Sequence, residues 1–157
     1  MREYYKECLK KGLEYQDFVF DQLRHMDGMP IFLGAYASEK YQYDKGESLS
    51  GIEIKFDDKL KETNNLFIEV KEKTDPSNKE FVPSGIMRND NSWLYLIGNY
   101  EQAFIFARRT LRVFCCEENP HVRLVSCREG TAWGYLFSVR YVLEHRGLLA
   151  KHILFRK

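Results

Sequence analysis

The chain has 157 residues, a formal charge of +1, and 44% apolar, 30% charged and 15% aromatic residues. That is the length of one domain, 1–157, with room for a core that needs no staple, and the aromatic share excludes a disordered tract. The near-neutral balance excludes a general basic field, so any nucleic-acid contact must be local. No apolar run reaches membrane-spanning length, and no signal-peptide core follows Met1-Arg2-Glu3-Tyr4-Tyr5-Lys6. Cys8, Cys115, Cys116 and Cys127 lack the paired spacing of a metal site and read as reduced thiols. The expectation is a soluble cytoplasmic protein with no membrane partner.

In chain order, 3–26 reads as one helix, ended by Asp27-Gly28-Met29-Pro30. Its apolar positions include Tyr5, Leu9, Leu13, Phe20 and Leu23, with Tyr15, Phe18 and Val19 widening the stripe. Glu14, Asp17 and Asp21 share another face. The run 31–36 suits a short buried strand, and 38–50 a polar, Tyr-rich loop. Two alternating runs follow, 51–57 and 66–73, joined by the polar turn 58–65. Turn clusters lie at 74–78 and 83–85. Trp93 to Gly98 reads as a buried strand, with Trp93 and Trp133 as core residues. Asn99 reads as the N-cap of a helix over 100–114, and 122–127 as another strand. A short helix at 136–145 and a strand at 151–155 complete an α/β pattern.

The paired runs carry the chemistry. In the first, Ile52, Ile54 and Phe56 alternate with Glu53, Lys55 and Asp57; in the second, Leu66, Ile68 and Val70 alternate with Glu69 and Lys71. Strand side chains repeat with period two, so a hairpin folded here sets Glu53 or Asp57 on one surface with Glu69 and Lys71. Two carboxylates and an ammonium on such a surface can hold a divalent cation with a water beside it. Alternating charge also describes the wet side of any antiparallel hairpin.

The element order and these residues resemble the PD-(D/E)XK nuclease superfamily over roughly residues 10–114. Glu69-Val70-Lys71, on a strand preceded by Leu66-Phe67-Ile68, matches the family's acid-x-Lys half. Glu53, after Ser50-Gly51-Ile52, stands for the upstream acid, with Asp57 competing, and Glu14 for the helix acid, with Asp17 as alternate. The proline of the family's name is absent and Glu replaces Asp. Gln102 stands where some members carry Gln, followed by Phe106 rather than Tyr.

The resemblance implies a restriction-endonuclease-like three-layer core, a central mixed sheet flanked by helices. It implies a Mg2+- or Mn2+-dependent deoxyribonuclease with the cation on Glu53, Glu69 and the Val70 carbonyl, and Glu14 assisting. Lys71 would orient water or stabilise charge. Lys55, Lys73, Arg88, Arg108 and Arg109 would contact DNA phosphates, and cutting both strands of a duplex would favour a homodimer. The alternatives are a non-catalytic nucleic-acid-binding domain of the same fold, or an interaction domain whose hairpin charges are only a soluble face.

Overall fold

The computed structural model describes residues 2–24, 26, 40, 41, 45 and 48–155. The strand expected at 31–36 and most of the loop expected at 38–50 lie outside the described residues. Helix α1 spans Arg2–Arg24. It is followed by β1 (Ile52–Phe56), α2 (Leu60–Thr63), β2 (Asn65–Glu72) and β3 (Val82–Pro83), then a 3-10 turn at Gly85–Met87. Next come β4 (Leu94–Gly98), β5 (Gln102–Ala107), α3 (Arg108–Phe114) and β6 (Val122–Cys127). The chain continues through a 3-10 turn at Arg128–Gly130, β7 (Ala132–Ser138), α4 (Val139–Glu144), α5 (Arg146–Leu149) and β8 (Ala150–Leu154).

The α/β expectation holds, but the strands form two sheets. One is mixed, in the order β1-β4-β5-β8, with β1 and β4 parallel; the other is antiparallel, in the order β3-β2-β7-β6. β1 and β2 therefore fall in different sheets, and the expected hairpin over 51–73 does not form. Asp57 explains the reversal between them. Its buried carboxylate accepts the Lys59 amide at 3.1 Å, starting the turn into α2, and the Phe67 amide at 3.0 Å, pinning β2. Burial raises the Asp57 carboxyl above its ordinary value, against the pull of those two amides.

The mixed sheet is buried on both faces. Ile52, Ile54, Leu96, Ala103 and Ile105 pack against Tyr15, Val19 and Leu23 of α1. On the other side Tyr95, Ile97, Phe104 and Phe106 meet Leu66, Ile68, Tyr135 and Phe137 of the antiparallel sheet, with Leu111 of α3 and Val142 of α4. The layers are helix, mixed sheet, antiparallel sheet. The face α1 buries is thus an i, i+4, i+8 row, and Leu9 and Leu13 stay about half exposed.

The helix expected over 100–114 forms in its second half, as α3, and the double burial accounts for its first half. A strand apolar on both faces offers apolar residues at every spacing, including three and four. Its first half is β5, and Asn99 caps no helix. Its side chain accepts the Glu101 and Gln102 amides in the tight turn joining β4 to β5.

Candidate functional site

The acid residues lead to one network. Glu53 is buried, and its Oε1 lies 3.0 Å from the Lys55 ammonium, because both point to the same side of the regular strand β1. On β2, Glu69 is also buried. Its Oε1 accepts the Ser84 hydroxyl at 2.8 Å, and its Oε2 meets Arg128 Nη1 at 3.1 Å. The same Arg128 nitrogen is 3.8 Å from Glu72 Oε2. Burial, then Glu69, raises the Glu72 carboxyl; Arg128, Lys55 and Arg88 pull it back down. Lys55 thus acts on both Glu53 and Glu72, and Arg128 on Glu69 and Glu72.

Two backbone irregularities build this cluster. β2 pairs Glu69 with Gly134 and Lys71 with Trp133, so Val70 is an extra residue, a β-bulge. A bulge resets the alternation of faces, which sends Glu69 and Glu72 to one side and Lys71 to the other. The bulged Val70 carbonyl accepts the Ser84 amide at 3.0 Å, which seats the Ser84 hydroxyl on Glu69. Opposite, Arg128, Glu129 and Gly130 all hold positive φ (52°, 55° and 82°). For Arg128 and Glu129 that conformation costs about 1–2 kcal/mol each. This turn between β6 and β7 carries the guanidinium that meets the acids.

Several expected site residues lie elsewhere. Glu14 is on the exposed face of α1, 3.7 Å from Lys10, and Asp17 is exposed as well. Asp57 is occupied by backbone amides, which leaves Glu53 as the acid of β1. The Val70 carbonyl is committed to Ser84. Lys71 does not join Glu69: its ammonium sits over the rings of Phe81 and Trp133, 5.4 and 5.3 Å from their centroids.

Of the expected phosphate contacts, Lys55 belongs to the acid network. Lys73 donates to the Pro76 and Asn78 carbonyls at 2.9 and 3.1 Å and holds their turn. Arg88 is 3.6 Å from Asp90. Arg108 is a correction. It is buried, ion-paired with Asp90, and donates to the carbonyls of Gly85, Ile86, Arg88 and Ser92. It clamps the 85–92 loop and faces no solvent. Arg109 is exposed. Trp93, expected in the core, is 62% exposed, with its indole N–H on the Ser50 carbonyl at 2.8 Å.

Ser84, Glu72 and Arg128 went unnoticed in the sequence. Glu72 lay in plain view one residue past the motif, but only the bulge turns it toward Glu69. The four cysteines are free thiols. No helix among the described residues is long and apolar enough to cross a membrane. Among the described residues no group of three or more His, Cys, Asp or Glu side chains is gathered so as to hold a metal ion. A pair of carboxylates is nonetheless a fitting donor set for Mg2+, which keeps several of its own waters and takes one or two acids from a protein. No family model, curated protein or solved structure matches this chain.

Proposed function

We propose that the protein is a divalent-cation-dependent phosphodiesterase acting on DNA, built on a restriction-endonuclease-like variant of the α/β core. The observation that carries the reading is the pair Glu53 and Glu69. Two carboxylates from different sheets are both buried and are linked through the charges of Lys55, Glu72 and Arg128. Burying each costs several kcal/mol, and neither belongs to the two apolar clusters that make the core.

Glu53 and Glu69 would hold Mg2+, with Glu72 beside them. The ion would supply Lewis acidity toward the phosphate and a more acidic water. Glu69 and Lys71 lie on opposite sides of β2, and the acid and amine that lie side by side are those of Glu53-Ile54-Lys55, which support the reading in their place. Lys55, ion-paired with Glu53, orients a water or neutralises the developing charge; Arg128 offers a guanidinium to a phosphate oxygen.

Each acid also has a cation of the protein's own, and this favours a second reading, a non-catalytic nucleic-acid-binding domain with the same network as internal support. Purified protein incubated with single-stranded, duplex and branched DNA in MgCl2 or MnCl2 separates the two. The first reading expects cleavage abolished by EDTA and reduced at least about a hundredfold in Glu69→Gln and Lys55→Met, with DNA binding retained. An intact DNA pool under both metals refutes it.

A further inference from the structure

The bulge that removes Lys71 from the acids delivers it to a cleft of about 350 Å³ on the other side of β2. The cleft walls include Val70, Met87, Leu124 and Tyr135, and Lys71, Phe81 and Glu117 also line it. The Lys71 ammonium stands over two aromatic rings. Among the described residues it has no carboxylate within ion-pair distance, whereas neighbouring Lys73, 5.1 Å from the Phe81 centroid, is spent on the 76–78 turn.

An open, apolar cleft lined by Phe81 and Tyr135, whose lysine has no carboxylate partner among the described residues, suits a ligand with a flat, weakly polar body and an adjacent anion. We infer that this cleft binds an unpaired nucleotide, the base entering between Tyr135 and Phe81 and the phosphate meeting Lys71. The choice of ligand rests on the phosphodiesterase reading, and it narrows the substrate to strands with an accessible unstacked base. Stacking on aromatic side chains is sequence-tolerant and is reinforced by a basic group that follows the backbone. Glu117 disfavours a second phosphate and can accept from an exocyclic amine.

The test uses the whole protein without metal and follows the two indole N–H signals by NMR during titration with 5′-AMP, adenosine, inorganic phosphate or laurate. AMP is expected to shift the Trp133 signal saturably and leave that of Trp93 in place. Adenosine or phosphate alone should bind more weakly. Lys71→Met and Phe81→Leu should each weaken AMP at least about fivefold without lowering Tm by more than a few degrees.

The inference is overturned if AMP leaves Trp133 unmoved, if both variants bind AMP like the wild type, or if laurate saturates the cleft where AMP does not. Nucleotide binding without cleavage of any DNA refutes the phosphodiesterase reading and leaves the cleft standing. Cleavage with an unchanged KM in Lys71→Met refutes the cleft alone.

Discussion

Replacing Arg108 with Met keeps most of the side-chain volume and removes the charge that ties the 85–92 loop to α3. The Asp90 carboxylate, 2% exposed, loses its closest cation and keeps the Ser92 amide at 2.9 Å and the more distant Arg88. The Ile86 and Arg88 carbonyls retain a donor in Arg112, at 2.6 and 3.1 Å, but the side-chain bonds to Gly85 and Ser92 are lost outright. Breaking a buried ion pair from one side costs about 3–5 kcal/mol. In a chain of this size that lowers Tm by roughly 6–20 °C.

Most of the cost is the stranded charge, so adding Asp90→Asn should recover part of it. Urea unfolding followed by tryptophan fluorescence reads both variants; Trp93 is a local reporter, its carbonyl accepting the Arg108 amide at 2.9 Å. Ser84, which donates to Glu69, directly precedes this loop, so cleavage should fall together with stability. A loss under about 1 kcal/mol, or a double variant no better than the single, refutes this account of the loop.

Three further outcomes are expected. Burial and Glu69 raise the Glu72 carboxyl, so the folded chain holds that proton more tightly than the unfolded one. The stability it contributes is complete below the ordinary Glu value near 4.3 and fades as pH rises through the raised one. Wild type should therefore lose ground to Glu72→Gln in urea titrations as pH rises from about 4, and a flat difference contradicts this. Gly85 has φ +48°, and a Cβ there would overlap the Glu69 carbonyl; Gly85→Ala should cost about 1–3 kcal/mol and weaken any metal-dependent activity, as calorimetry and a cleavage assay would show. Burial pushes the Cys115 thiol up to about 12, so an aromatic disulfide reagent at pH 8 should modify exposed Cys8 first and Cys115 last; mass spectrometry of the labelled peptides gives the order.

Local pattern served well where one rule governed a segment. The alternation of Ile52, Ile54 and Phe56 with Glu53 and Lys55 gave β1 and the correct facing of its two charges. Helix α1 and the strands at 94–98 and 122–127 appear within two residues of where periodicity put them. Failure came where burial erased the period. β5, covered on both sides, looked helical, and the aromatic stretch that forms β7 passed without being read as a strand. At Asn99 the same side-chain chemistry serves a helix start and a hairpin turn, and nothing local distinguishes them.

The sequence by itself determined which residues carry charge among apolar neighbours, and so named Glu53 and Glu69 as acids on strands. Which of them share a surface was a tertiary decision. Strand pairing is chosen by contacts between segments far apart in the chain, and here β2 took β7 as its partner in place of β1. A single extra residue at Val70 then exchanged Lys71 for Glu72 on the acid side, and a left-handed turn some sixty residues later supplied Arg128. Period-two reasoning assumes an unbroken ladder, and a bulge leaves no mark in composition because its cause is the register of the neighbouring strand.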